Sequence, residues 1–339
     1  MSHPSASAVS GATPRLSPKL VGLLAAFVTV LIWTAFIVVA RASADPSRAP
    51  TMGPLDIVFA RLLGASLVLL PMGWWLTRVQ RLRQQEAGQV PDAGSLLGFS
   101  PLPLRITLLT GLFGGLLYGV LAYSGFVYAP AAHGSVLLPG SLPLWTALLA
   151  IPILGDRISR TRALGLLCIV VGDLLVGGGS LLHALSGGNI WRGDVLFMAA
   201  SLTWSVYSVL VRKHALQAVY ATTAITVFGF MVYVPLYCAL VWTGVLPGLF
   251  FTAPWHDVVW QMLMQGVGSV VISGITFNMM IRTFGPVRST MLTAVVPGLS
   301  ALSAALLLGE PLPWNVLCGL ALVTMGIVFG VHQAGAKKP

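Results

Sequence analysis

Long apolar runs alternate with short polar interruptions along almost the whole chain. The runs fall at residues 20–40, 55–76, 106–126, 131–154, 163–180, 193–211, 222–243, 258–281, 286–308 and 313–332. A helix needs roughly 20 residues to cross the hydrocarbon core of a bilayer. The pattern therefore predicts an all-α polytopic membrane protein with ten transmembrane helices. The second run is the least regular, because Asp56 and Arg61 interrupt its first half. The longest connection is expected at 77–104, where Arg78, Arg81 and Arg83 adjoin a Gln-rich stretch. Residues 1–19, rich in Ser, Ala and Pro, read as a disordered tail, and 333–339 as a short tail at the other end. Arg15, Lys19, the first run and Ala42-Ser43-Ala44 imitate a secretory signal, but the run exceeds the roughly 7–15 residues of a signal core. It is read as a retained helix.

Of 339 residues, 56% are hydrophobic and 8% charged, against roughly 25% charged in a soluble domain. That excludes a soluble enzyme, a secreted disulfide scaffold and a disordered protein. The net charge of +10 is not read as a nucleic-acid signal. With the N-terminus inside, fifteen of the nineteen Lys and Arg fall on the inner side. Arg41, Arg48 and Arg192 fall outside, and Arg61 lies within a span. This positive-inside bias predicts both termini in the cytoplasm of the inner membrane, with basic loops against anionic lipid. Cys168, Cys238 and Cys318 lie far apart without metal-ligand spacing, so packing in the core is expected of them, and no metal or cofactor.

The chain also repeats itself. Gly22, Trp33 and Arg41 recur as Gly193, Trp204 and Arg212, each 171 residues on; Pro143, Gly155, Asp156, Gly165 and Gly172 recur as Pro297, Gly309, Glu310, Gly319 and Gly326, each 154 on. Two five-helix halves follow, at 20–180 and 193–332, joined by an outer linker at 181–192. Five being odd, the second half enters the membrane inverted. Inverted repeats characterise secondary transporters, with the substrate near the midplane.

A Trp in the first helix of each half, then Leu142-Pro143 … Leu154-Gly155-Asp156-Arg157 and Val296-Pro297 … Leu308-Gly309-Glu310-Pro311, resemble the EamA domain of the drug/metabolite transporter superfamily. Arg61 is similar to an arginine common in the first EamA half. The resemblance covers roughly residues 20–332. It implies export or exchange of small metabolites, often amino acids, through a cavity lined by helices one to four and six to nine, with five and ten outside it.

Trp33 and Trp204 are expected on opposite faces of that cavity, since an indole offers an apolar face and one N–H donor. Helix packing is the other reading. Trp74, Trp75, Trp191, Trp242, Trp255, Trp260 and Trp314 sit at span ends, where aromatic belts occur. Arg61, costing about 2.5–3.5 kcal/mol at depth on insertion scales, is a candidate anchor for a substrate carboxylate, or a snorkelling residue. His133, near Tyr118, Tyr123 and Tyr128, is a candidate ligand or a solvated helix entrance. Gln261, Gln265, Ser269, Ser273, Thr276 and Asn278 form a polar stripe that is either a wet pathway or interhelical glue. Asp173 is a candidate proton site; an outer-end carboxylate with water access is the blander reading. Pro143 and Pro297 are expected hinges, and Gly155, Gly165, Gly172 and their counterparts close-packing positions.

The leading reading is a secondary active transporter exporting or exchanging a small organic metabolite, an amino acid or related compound, by alternating access. A drug- or sugar-type carrier, a membrane-embedded enzyme and a channel or scaffold are the alternatives. No P-loop or HExxH motif occurs. Proton coupling and monomer versus homodimer stay open at this level.

Overall fold

A computed structural model describes residues 17–184, 188–293 and 295–332, and they are helical apart from the connections. The spans are α1 (Pro18–Ala44), α2 (Pro54–Glu86), α3 (Leu104–Tyr128), α4 (Ala131–Leu154), α5 (Arg160–Ala184), α6 (Ile190–Lys213), α7 (Ala218–Trp242), α8 (Trp255–Phe284), α9 (Pro286–Leu308) and α10 (Trp314–His332). Among the described residues nine are long and apolar enough to cross a membrane, and α10 contributes a shorter apolar stretch, Trp314–Val328. Of the two expected tails, only Ser17–Lys19 falls among the described residues. Ser17 caps α1 by accepting from the Leu20 amide. α5 and α6 both reach into the stretch expected as linker.

α2 departs most from expectation. It continues to Glu86 and carries Arg78, Arg81 and Arg83 on helix rather than loop. Leu, Arg and Gln are good helix formers, and nothing stops the helix before Gly88, which takes φ +68°. At its other end Asp56 is a cap, not an interruption: it accepts from the Gly53 amide at 2.8 Å and from the Tyr237 hydroxyl. The connection from 87 to 103 folds back through one β-bridge, Ser95 with Ser100.

The packing repeats under exchange of the halves. α1 packs on α8 and α9, while α6 packs on α3 and α4; α2 packs on α7 and α8, while α7 packs on α2 and α3; α5 and α10 pack on each other. Advancing every helix by five, modulo ten, leaves this pattern unchanged.

Glycine sets the α5–α10 contact. A Cβ on Gly172 would lie 2.7 Å from the Gly319 carbonyl oxygen, and one on Gly319 would lie 2.7 Å from that of Gly172. Gly326 meets the Gly165 carbonyl in the same way. Close backbone approach of this kind is how small residues hold membrane helices together. Gly155 and Gly309 do something else. Each takes φ +70° with open space around it, Gly155 as the left-handed cap of α4, so the close-packing expectation is corrected for these two.

Pro143 stands at the second position of a restarted helix, Leu142–Leu154, and Pro297 is buried within Val295–Leu308. In that first turn Pro143 forfeits no helical hydrogen bond. Cys238 and Cys318 are exposed on the outside of the bundle, not packed in its core; Cys168 is half-buried.

Candidate functional site

Midway through the bundle α1, α2, α3, α6 and α8 converge on an aromatic cluster. Trp33 and Trp204 meet edge to face with ring centroids 6.0 Å apart. They thus touch, instead of facing each other across a gap. Phe277 lies 4.9 Å from Trp33 and 5.7 Å from Trp204, and Tyr118 and Tyr207 lie 4.7 and 5.1 Å from Trp204. Trp33, Trp204, Tyr118, Phe36, Ile37 and Leu138 line a space of about 10 Å³, room for roughly one water molecule.

Arg61 borders this cluster. It is 7% exposed, and its guanidinium carbon lies 5.7 Å from the ring centres of Tyr118 and Tyr123 and 6.0 Å from that of Phe36. Cation–π attraction to three rings offsets part of its lost hydration. Arg61 also donates to the Tyr123 hydroxyl at 3.2 Å, which donates onward to Gln265 Oε1 at 2.7 Å. Gly266 lets the α8 backbone close on α2: a Cβ there would lie 2.9 Å from the Arg61 carbonyl oxygen. No ion pair among the described residues involves Arg61. It is a buried cation without a counter-ion.

Three further polar atoms here are buried and unpartnered: Trp204 Nε1, Gln265 Nε2 and Asn278 Oδ1. Asn278 Nδ2 donates to the Tyr207 hydroxyl at 2.7 Å and to Thr222 at 3.0 Å. Unmet buried groups each cost about 1–3 kcal/mol, so the cluster holds one cation, two donors and one acceptor awaiting partners. Three other residues of the α8 stripe tie it to α1. Gln261 donates to Ser43 at 2.6 Å, Ser273 accepts from Trp33 Nε1 at 3.2 Å, and Thr276 pairs with Thr29 at 2.7 Å. Met262–Ile272 is wound as a π-helix, whose wider turn changes the register of the stripe.

His133 and Asp173 are not among the residues that line this space. His133 Nδ1 lies 2.8 Å from Asp194 Oδ1, joining α4 to α6. Asp173 lies on α5, 7% exposed, with neither carboxylate oxygen partnered. Tyr207, Phe277 and Phe36 complete the aromatic cluster although the sequence reading did not select them. The available signal was spacing: Phe36 and Tyr207 each lie three residues after a repeat-matched tryptophan, on the same helical face.

The two faces of the bundle differ. On the face where α1 ends, Arg41 Nε lies 2.6 Å from Glu310 Oε1, and Glu310 Oε2 accepts from the Ala131 amide at the start of α4. Arg41 also donates to the Phe126 carbonyl at 2.8 Å. The repeat-related residues on the opposite face are Arg212, Asp156 and the start of α9. All line one cleft of about 700 Å³ that includes Arg157, Arg162 and Arg288, and no ion pair among the described residues joins Arg212 to Asp156.

The model of the EamA-like transporter family matches the chain twice, over residues 20–178 and 191–331. The chain is similar to proteins named uncharacterized transporters. YyaM of Bacillus subtilis (strain 168) is 30% identical over 103 residues, 30% of this chain and 32% of that protein. YoaV of the same organism is 23% identical over 69% of this chain and 78% of its own length. One from Clostridium kluyveri is 20% identical over 85% and 86%. A solved crystal structure, 18% identical, covers 95% of this chain and 100% of its own with a TM-score of 0.56, a likeness of fold alone.

Proposed function

The chain belongs to the EamA-like transporter family, and on that premise we propose that it is a secondary carrier exporting or exchanging a small organic metabolite across the inner membrane. Its relatives are named as transporters, which supports reading the aromatic cluster as a binding site and not a catalytic one. The substrate class that fits is an amino acid or related carboxylate. Arg61 offers the carboxylate two N–H donors in fork geometry. Asn278 Oδ1 and the indole faces suit an ammonium, and the apolar rings suit a side chain.

The mechanism proposed is alternating access, carried by one observation: of two repeat-related ion pairs, Arg41–Glu310 is made and Arg212–Asp156 is not. Under the positive-inside orientation, the closed pair faces outward and the open cleft faces the cytoplasm. Exchanging the conformations of the halves would make the inner pair and break the outer one. Since the central space holds only about one water, substrate must part the helices to enter, and binding and gating become one movement. Pro143, at the restart of α4, and Pro297, within α9, are the proposed hinges.

The test compares metabolites released by cells overexpressing the protein, its Arg61→Ala variant or an empty vector, followed by counterflow of the released compound in proteoliposomes. A carboxylate class released by the intact protein alone, with saturable counterflow, is expected. Non-saturable flux would mean a channel. Release of a compound without a carboxylate would remove Arg61 from its role.

A further inference from the structure

Away from the central cluster, α4, α5 and α6 enclose a groove of about 400 Å³, within the size range of small-molecule sites. Its walls include Leu137, Leu144, Trp145 and Met198. The rim carries Leu174 and Val195, 60% and 51% exposed. These apolar side chains lie on the outside of a membrane bundle, so the groove opens sideways into the bilayer.

Two carboxylates nonetheless face it, Asp173 and Asp194. Asp194 receives His133 Nδ1 at 2.8 Å. Asp173 has no partner at either oxygen while being 7% exposed, and the Trp145 indole N–H is buried and unpartnered beside the same groove. Among the described residues no Lys or Arg lines the space. A lone carboxylate within a span is costly unless it pairs, and apolar walls cannot supply the pair. Gly178 leaves part of the α5 side of the groove open, since a Cβ there would meet nothing within 4 Å.

We propose that this groove is a second binding site, for an amphipathic amine that partitions into the bilayer. The ammonium group donates to Asp173 and lies within reach of the Trp145 ring, and the apolar body lies along Leu137, Leu144 and Met198. The chemistry selects this class: N–H donors for two bare oxygens, one positive charge for an acidic end, and hydrocarbon for the remaining wall. A metal ion does not fit, since no group of three His, Cys, Asp or Glu able to hold one occurs among the described residues. A lipid ammonium headgroup does not fit either, because Asp173 lies midway along α5 and headgroups stay at the membrane surface. The proposal rests on the geometry of α4–α6 and is independent of the transport reading.

The test is equilibrium binding of radiolabelled 4-phenylbutylamine to the purified full chain in lipid nanodiscs, with 4-phenylbutanol as the uncharged competitor. Saturable binding by the intact protein is expected, with affinity lost by about tenfold or more in Asp173→Asn, the scale of a charge-assisted hydrogen bond. Gly178→Leu, which alters no charge, should abolish binding by filling the groove. Thermal unfolding of both variants confirms that they are folded. Absence of saturable binding to the intact protein overturns the proposal. So does equal binding by Asp173→Asn, or equal competition by the alcohol, which would mark partitioning into an apolar crevice. Binding lost in Arg61→Ala but kept in Asp173→Asn would place the amine in the central cluster, and also overturns it.

Discussion

Arg41 and Arg212 hold the same position in the two halves, yet Arg41 lies 2.6 Å from Glu310 while Arg212 stands in an open cleft with Asp156, unpaired with it. The same arginine position has two different electrostatic settings in the two halves. The Arg41 arrangement is also better tied, because Glu310 bridges Arg41 to the Ala131 amide, joining the ends of α1 and α9 to the start of α4.

Breaking the Arg41–Glu310 pair should open the face that the proposed orientation puts outside. Arg41→Glu or Glu310→Arg is expected to shift the balance by on the order of 2 kcal/mol, between the values for exposed and buried pairs, or roughly thirtyfold. The readout is modification of Ile37→Cys, in a cysteine-free background, by an impermeant maleimide added outside. The double charge swap should return the rate toward that of the parent.

Arg61→Lys should not rescue a carboxylate substrate. An ammonium is a point charge and cannot reproduce the two-pronged donor geometry. A rise in KM of about 10–100-fold is expected, the scale of hydrogen bonds to a charged group, with protein levels in the membrane unchanged.

Trp204→Phe removes the unpartnered Nε1 while keeping an aromatic ring. Since that N–H is buried with no hydrogen-bond partner, thermal stability should hold or fall only by the lost ring volume, while substrate affinity drops. Equal affinity in the variant would show that Trp204 serves packing alone. Trp33→Ala and Trp204→Ala should both impair transport without preventing membrane insertion.

Gly172→Val should loosen the α5–α10 contact. The new side chain would meet the Gly319 backbone at 2.7 Å, and backbone cannot rotate away. A loss of about 1–3 kcal/mol is expected for overpacking, read as a lower unfolding temperature in detergent. Gly155→Ala should act otherwise, through its positive φ at a cap and with no packing defect.

Asp45 gives the loop after α1 an acid limit. Burial opposes its ionisation, but the Ser47 hydroxyl and amide, then Arg41 and Arg48, outweigh it and hold its carboxyl below the ordinary value of 3.8. A lowered carboxyl adds stability that is complete above the unfolded value and lost as pH falls through the folded one. The difference in unfolding temperature between the parent and Asp45→Asn should be constant at neutral pH and shrink below about pH 4.

Much of this architecture is written in the sequence, for identifiable reasons. Span length and apolar continuity are set by the bilayer, so the ten helices could be read from hydropathy. The matched offsets exposed the two halves and drew Trp33 and Trp204 together. What stayed hidden depends on register and distance. Arg41 and Glu310 are far apart in sequence, and no local pattern pairs them. The helical end of α2 was masked by charge, because Arg78, Arg81 and Arg83 resemble a loop when only hydropathy is followed. Gly155 and Gly309 were found by the repeat but misread, since matching shows that a position recurs and not which φ it takes. Asp173 was recognised as unusual, but not the groove it faces, because Trp145 and Gly178 carry no distinguishing pattern.

The α5–α10 contact has one more consequence. Gly172 meets Gly319 and Gly326 meets Gly165, and by the repeat correspondence these are the same contact made twice. The surface is self-complementary, as in a two-fold homodimer. A single five-helix unit could therefore dimerise with an upside-down copy of itself through this face without any new residue. The two halves differ beside this seam, where Asp173 has Ile327 as its repeat counterpart, while the glycines that form the contact are kept in both.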